Sequence, residues 1–229
     1  MPDDLTNLAR PEFVLVAWAA GLAFASGLVA LARLVGPGFI WMTASIAALI
    51  SLTGAFGDDR WWARFGLIML AMGLLSARTR QLSGIFQVTA GLALVTQAAE
   101  IGGWIPAVTG ALALGGVTSE MVLAHWYLVD PRLPRWVLRV LAFAGIGGLA
   151  VDSVALAVAG FPGGVATIAF WILMVTSIGL MIGVVASLRY PAYSGVMAAT
   201  GLSYLAVLTS LGGVFLGRVL VAGLGPFTS

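Results

Sequence analysis

Residues 104–129 read WIPAVTGALALGGVTSEMVLAHWYLV, an apolar run of 26 residues in which Glu120 and His125 stand out. A helix of about 20 residues, rising about 1.5 Å per residue, crosses a hydrocarbon core about 30 Å thick. The run is therefore long enough to span a membrane as one helix. Polar residues within such a helix are candidates for a functional or structural role, because a charge at membrane depth costs at least about 2.5 kcal/mol.

The next six residues form a turn that joins this run to a second long apolar run. They read Asp130-Pro131-Arg132-Leu133-Pro134-Arg135, and the two prolines cannot continue a helix. The following run, Trp136–Ala159, carries Arg139 near its start and Asp152 in its middle. Because the connection is short, we predict that the two runs pack as an antiparallel helical hairpin.

The rest of the chain repeats this pattern of apolar runs closed by Arg, Asp or Pro. Of its 229 residues, 61% are hydrophobic and only 9% are charged, and the mean hydropathy is +1.07. This composition is that of an integral membrane protein, since soluble domains have about 25% charged residues. The six other predicted spans are Phe13–Leu34, Phe39–Phe56, Trp61–Ala77, Gly84–Ala99, Val165–Leu188 and Gly195–Gly217.

We therefore predict an all-α polytopic membrane bundle of about eight transmembrane helices, forming one domain over residues 1–229. The third and fourth spans are the weakest. If they form a re-entrant hairpin the count falls to six, and a count of seven also remains open. No hydrophilic stretch is long enough for a second domain.

Residue counts exclude several kinds of cofactor site. The chain has no cysteine and one histidine, His125, and all eleven of its cationic residues are arginine. Iron–sulfur clusters and thiolate metal sites need cysteine, and a bis-histidine haem within the chain needs a second histidine. Retinal and pyridoxal phosphate Schiff bases need lysine. The arginines lie singly or in pairs at the ends of apolar runs, which indicates topology signals and no nucleic-acid partner.

The arginines also predict an orientation, because cytoplasmic loops are enriched in them. With eight spans, seven arginines fall on one face and four on the other. We expect the richer face to be cytoplasmic, which places both termini of a multi-pass cell-membrane protein on the non-cytoplasmic side. The richer face holds Arg33, Arg78, Arg80, Arg132, Arg135, Arg139 and Arg189, and the other holds Arg10, Arg60, Arg64 and Arg218.

The candidate functional site lies between spans five and six and comprises Glu120, His125, Tyr127, Arg139 and Asp152. Reflection about a turn centred near Leu133 puts Asp152 at the depth of Leu114, one to two helical turns beyond Glu120. The same reflection puts Arg139 near Tyr127, within reach of Glu120. This set could take up protons or hold a polar headgroup. The competing interpretation is that Arg139 and Glu120 pair structurally while His125 and Tyr127 lie at headgroup level.

Two weaker acidic candidates lie outside this site. Asp58 and Asp59 could coordinate a cation, although paired carboxylates in a polar turn are usually only solvated. Glu100 ends span four beside two glycines, and we interpret it as a solvated helix end. We predict no metal site.

For function, we expect an integral subunit of a larger membrane complex, respiratory or electron-transferring, that provides a lipid, quinone or proton site. The alternative is a small proton-coupled transporter or channel in which Glu120 and Asp152 alternate in protonation. Gly115-Gly116 and Gly147-Gly148 are candidate helix breaks for such a transporter. A lipid enzyme with Glu120 and His125 as acid and base ranks last, and we expect no catalytic chemistry of the chain's own.

Small residues indicate how the helices meet. The motifs Gly179-x-x-x-Gly183 and Gly213-x-x-x-Gly217 let helix backbones approach closely. We expect them to pack mainly within the bundle, with a partner chain as the alternative. Expected partners are membrane lipid and either other membrane subunits or a second copy, held through these glycine-rich faces.

Overall fold

The structure, a computed structural model, describes residues 7–55 and 60–223, without the side chains of residues 54 and 55. These residues form eight helices and no strand, which confirms the predicted all-α bundle. The predicted end of span two at Phe56 and the Asp58–Asp59 pair lie outside the described residues. The helices are α1 (Pro11–Leu31), α2 (Pro37–Ala55), α3 (Trp61–Leu75), α4 (Arg80–Gly102), α5 (Trp104–Val129), α6 (Arg135–Ala159), α7 (Gly164–Ser187) and α8 (Tyr193–Val221).

Six of these helices, α1 and α4 to α8, are long and apolar enough to cross a membrane, whereas α2 and α3 are shorter apolar helices. The prediction that spans three and four would be the weakest is therefore wrong for span four. Helix α4 has 23 residues because it begins at Arg80 and continues past Glu100, both of which lie exposed at its ends. Helix α3 has only 15 residues, or about 22 Å at 1.5 Å per residue.

Helix α5 occupies the centre of the bundle, where it packs against α1, α6 and α8. Its glycines make these contacts close. A Cβ atom added at Gly115 would lie 2.4 Å from the Cα atom of Gly21 on α1, and one added at Gly116 would lie 2.8 Å from the Cα atom of Gly145 on α6. The expectation of helix breaks at the double glycines is wrong, since α5 and α6 are both continuous.

Polar side chains link the helices of the N-terminal half. Ser26 Oγ on α1 donates to Gln87 Oε1 on α4 at 2.7 Å, and Ser83 Oγ donates to the Gly73 carbonyl of α3 at 2.7 Å. Trp18 Nε1 on α1 donates to Thr118 Oγ1 on α5 at 2.7 Å. Hydrogen bonds of this kind between membrane helices contribute about 0.6 kcal/mol each, so they help to fix helix rotation.

Helices α7 and α8 form a C-terminal hairpin, and the two glycine motifs differ in whether they pack inside the bundle. Gly213 and Gly217 pack against Met174 and Phe170 of α7, as expected for internal packing. A Cβ at Gly179 would meet no atom within 4 Å, so the internal interpretation is wrong there. Gly179 lies on the exposed face of α7 because α7 contacts its neighbours along its other side only.

Candidate functional site: two buried carboxyl groups

Glu120 lies on the face of α5 that packs against α8, and its side chain is fully buried. Its Oε2 atom is hydrogen-bonded to Ser203 Oγ of α8. Its Oε1 atom has no hydrogen-bond partner, and neither does the buried hydroxyl of the preceding residue, Ser119. A buried carboxyl oxygen without a partner is costly, and native proteins keep few of them.

Ser203 is chemically suited to either protonation state of Glu120. Its Oγ atom also lies 2.8 Å from the Ala199 carbonyl, one turn earlier on α8. A hydroxyl has one hydrogen and two lone pairs. When Glu120 is a carboxylate, Ser203 can donate to it. When Glu120 is protonated, it can donate to Ser203, whose own hydrogen then goes to Ala199.

The ion pair between Glu120 and Arg139, which was the competing interpretation of the sequence, does not form. Arg139 is exposed at the start of α6, where it borders a surface hollow with Arg135 and Arg189. Within residues 7–55 and 60–223, Glu120 forms no ion pair with any arginine. The prediction failed because α6 turns Arg139 toward the outside of the bundle, while Glu120 faces α8.

Asp152 belongs to a second polar cluster, formed with Arg218 of α8. Arg218 Nη2 lies 2.7 Å from Asp152 Oδ1, and Nη1 lies 3.3 Å from Oδ2, so the pair is bidentate. Thr109 Oγ1 on α5 donates to Asp152 Oδ1 at 2.5 Å, and Arg218 Nη2 also donates to the Pro106 carbonyl at 3.0 Å. The exposed fractions are 1% for the Arg218 side chain and 0% for Asp152.

Gly110 makes room for this ion pair. A Cβ atom there would lie 2.9 Å from Arg218 Nη2, closer than carbon packs against a guanidinium. The Phe13 ring of α1 covers the other side, with its centroid 5.7 Å from Arg218 Cζ. Three helices therefore close around the guanidinium, which makes the pair part of the bundle's core.

Arg218 is the residue that the sequence interpretation missed. The last predicted span ended at Gly217, so Arg218 was counted as a topology signal. Helix α8 continues to Val221 and buries Arg218 inside the bundle. Removing it from the count leaves seven arginines against three, which strengthens the asymmetry behind the predicted orientation. Asp152 could have indicated a buried arginine, because a carboxylate in the middle of a span usually has a cationic partner.

The two clusters are far apart along α5. Asp152 contacts α5 at Thr109, about 16 Å from Glu120 at 1.5 Å per residue. The expected depth opposite Leu114 is wrong, because the α5–α6 contacts are centred between Asp130 and Pro131 and not at Leu133. The predicted single site between α5 and α6 is therefore two sites, and α8 contributes to both.

His125 and Tyr127 lie near the arginine-rich end of α5, apart from Glu120. His125 is exposed, and its Nδ1 atom lies 3.1 Å from the Tyr204 hydroxyl of α8. Tyr127 accepts a hydrogen bond from Arg135 Nε at 3.3 Å, and Arg135 also donates to the Pro191 carbonyl at 2.8 Å. These contacts fasten the α5–α6 turn to the α7–α8 turn.

Glu100 and Asp130 are two further described acidic residues, and each has a local contact of its own. Glu100 is exposed, with Oε2 3.8 Å from Arg60 Nε, in agreement with a solvated helix end. Asp130 Oδ1 accepts from the backbone N–H of Arg132 at 3.3 Å and so closes its turn. Among the residues that the structure describes, no three His, Asp or Glu side chains come together as metal ligands would.

No family model, curated protein or solved structure matches this chain. The function must therefore be inferred from the chemistry of the two buried clusters.

Proposed function

We propose that this chain is an integral subunit of a larger membrane assembly and that it binds and releases a proton at Glu120. The observation that carries the proposal is the environment of this carboxyl group, which is fully buried, has one oxygen without a partner and has no arginine beside it. In a medium of low dielectric constant, a carboxylate without a counter-ion is strongly disfavoured. The neutral acid is favoured at rest, and proton release then depends on a conformational or chemical event nearby.

Asp152 provides the contrast that singles out Glu120. Its charge is balanced by a bidentate arginine, and Thr109 fills a further acceptor position. Protonating Asp152 would leave Arg218 as an unpaired buried cation, which costs several kcal/mol. We therefore assign Asp152 a structural role and do not extend the proposal to alternating protonation of two carboxyl groups.

Ser203 supports proton exchange at Glu120 because its hydroxyl can hydrogen-bond to either protonation state of Glu120 without any movement of the helices. Rotation of one hydroxyl changes it from donor to acceptor, with the Ala199 carbonyl taking its hydrogen. The unpartnered Ser119 hydroxyl lies on the same helix, directly before Glu120. It offers a further polar atom to a proton or a water molecule that enters the site.

The subunit part of the proposal is supported by the outer face of α7. Its exposed residues recur at helical spacing and are apolar or small, and they include Ile168, Trp171, Ile172, Val175 and Gly179. At Gly179 a helix of another protein could approach closely, since nothing in the described chain occupies that space. Native mass spectrometry of the protein extracted from its own membranes tests this part. Detection of the single chain only, with no other protein bound, would contradict it.

Infrared difference spectroscopy of the reconstituted protein between two pH values tests the proton site. Wild type should show the C=O stretch of a buried carboxylic acid, and Glu120→Gln should lose that band. Glutamine has nearly the same shape and can still bond to Ser203, so the fold should be kept. Glu100→Gln makes the same chemical change at an exposed carboxyl and should leave the band intact. Retention of the band in Glu120→Gln would overturn the assignment.

A further inference from the structure

An apolar groove opens between four helices that do not include α8, the helix that contacts Glu120. Its floor is α5, and its walls are α1 and α4 on one side and α6 on the other. The groove has a volume of about 490 Å³, and its lining includes Phe24, Leu28, Leu112, Trp136 and Val140. Volumes of roughly 300–1,000 Å³ are typical of sites that hold small ligands.

The groove begins near the arginine-rich face, at Leu34 and Trp136, and continues past the middle of α5 as far as Val108. Along α1 and its C-cap the groove extends from Ala20 to Ala32, which is about 18 Å at 1.5 Å per residue, and it continues to Leu34. One leaflet of a bilayer contributes about 15 Å of hydrocarbon, half of the full core. The groove is therefore longer than the hydrocarbon of one leaflet, and an acyl chain of a lipid at the arginine-rich face fits along it.

Three arginines surround a hollow at the mouth of this groove. Arg33, Arg78 and Arg80 line it, and Arg33 lies between two groove residues, Ala32 and Leu34. All three arginines are exposed, and within the described chain none pairs with a carboxylate. Such a cluster beside an apolar groove complements a lipid that carries a negative headgroup.

The backbone of Arg33 provides an independent observation. Arg33 has a φ angle of 59°, in the left-handed region, and is the one described non-glycine residue with positive φ. The N–H groups of Arg33 and Leu34 bond to the carbonyls of Ala30 and Val29, which is the helix-ending motif in which glycine normally takes the Arg33 position. An arginine therefore occupies a position where glycine would be less strained.

Arg80 further orders this mouth, because its Nη1 atom donates to the Arg33 carbonyl at 3.4 Å. This contact joins the end of α1 to the start of α4. Glycine at position 33 would end α1 without strain but would carry no side chain. The arginine found there therefore adds a third guanidinium to those of Arg78 and Arg80.

We infer that the groove and the three arginines form a binding site for one anionic phospholipid of the surrounding bilayer. The phosphate-bearing headgroup lies among Arg33, Arg78 and Arg80, and one acyl chain lies between α1 and α6. This site is separate from Glu120 and does not depend on the proton-binding proposal.

Lipid binding to the purified protein in detergent, followed by native mass spectrometry, tests the inference. The probes are phosphatidylglycerol and phosphatidylcholine with identical acyl chains. Wild type should bind phosphatidylglycerol preferentially. Arg33→Gly should weaken that binding about fivefold, the equivalent of ~1 kcal/mol for one arginine at a membrane surface. The same variant should unfold at a higher temperature in phosphatidylcholine, because glycine relieves the backbone strain.

Arg132→Gly is the matched control for charge, since Arg132 is an exposed arginine on the same face but away from the groove. It should change phosphatidylglycerol binding less than twofold. An equal loss in both variants would show a general surface potential and overturn the site. Equal binding of the two lipids by wild type would overturn it as well.

Two alanines on α6 test the groove itself. Ala144 lines the groove, whereas Ala150 is exposed on the same helix but outside it. Ala144→Phe should fill the groove and weaken phosphatidylglycerol binding, and Ala150→Phe should not. If Ala144→Phe binds like wild type and water-soluble glycerophosphoglycerol competes fully, the arginines bind a free phosphate group and the lipid site is refuted.

Discussion

Arg218 and Asp152 show how one partner changes the role of a buried charge. Each alone would carry an insertion cost of at least about 2.5 kcal/mol, but their bidentate contact balances the two charges. Thr109 and Pro106 add further hydrogen bonds, and Arg218 Nε is the one polar atom of the pair without a partner. Glu120 has no such partner, and its neutral form carries no charge to balance. Two carboxyl groups in the same bundle therefore have different environments, one paired with an arginine and one without a counter-ion, and we propose that only the second exchanges a proton.

The buried ion pair leads to a prediction about stability. Arg218→Met should lower the free energy of unfolding by ~3–5 kcal/mol, because it leaves Asp152 charged and unpaired. The double variant Asp152→Leu with Arg218→Met should recover most of that loss. Unfolding of the purified variants in mixed detergent micelles measures both changes. The exposed pair of Arg10 and Glu12, 3.8 Å apart, is the control, and Arg10→Met should cost less than about 1 kcal/mol.

Non-additivity is the decisive feature of this comparison. If the double variant is as unstable as the sum of Arg218→Met and Asp152→Leu measured singly, Arg218 and Asp152 do not act as a pair.

At the scale of the helices, glycine decides which faces meet. Gly115 faces Gly21 across the α5–α1 contact, and the two backbones come so close that neither position has space for a methyl group. Gly179 also lies within a long apolar helix, yet it faces outward. The same residue type thus supports internal packing at one place and leaves an open surface at another.

Alanine substitution distinguishes these two environments. Gly115→Ala should destabilise the protein by ~1–3 kcal/mol or more, because the added Cβ would lie 2.4 Å from Gly21 Cα and force the helices apart. Gly179→Ala should be neutral or stabilising by up to ~1 kcal/mol, since alanine is the better helix former. Thermal unfolding in a fixed detergent measures both. A large loss at Gly179 instead would mean that its face is occupied by another copy of the chain in the detergent-solubilised protein.

For the molecule as a whole, the arginines concentrate at one end of the bundle. Arg80 contacts the end of α1, and Arg135 joins the α5–α6 turn to the α7–α8 turn. The ring of Trp126, near the end of α5, lies against Phe39 at the start of α2, which places these ends together. This grouping agrees with the predicted arginine-rich face, which we expect to be cytoplasmic.

The absence of cysteine makes this orientation directly testable. A single cysteine at Arg132, in the α5–α6 turn, should react with a membrane-impermeant maleimide only from the cytoplasmic side. A single cysteine at Pro162, in the α6–α7 turn, should react only from the opposite side. Both residues are exposed, so access does not depend on unfolding. Labelling of Arg132→Cys from outside intact cells would reverse the orientation.

The sequence alone was sufficient for the membrane class, the helical fold and the approximate ends of most helices. These follow from the length and spacing of apolar runs, a local property that burial in lipid enforces along each segment independently. It also identified Glu120 and Asp152 as buried carboxyl groups, because charge within an apolar run is visible without knowing any neighbour.

Only the tertiary structure decided what those carboxyl groups meet. The partners Ser203 and Arg218 lie 83 and 66 positions away along the chain, on α8, and no local pattern links them to α5 or α6. The short turn in the sequence predicted contact between α5 and α6 only. In the structure, helix rotation and close glycine contacts also bring α8 against both helices. Partner choice depends on how helices rotate and cross, and it therefore emerges only when the whole bundle is packed.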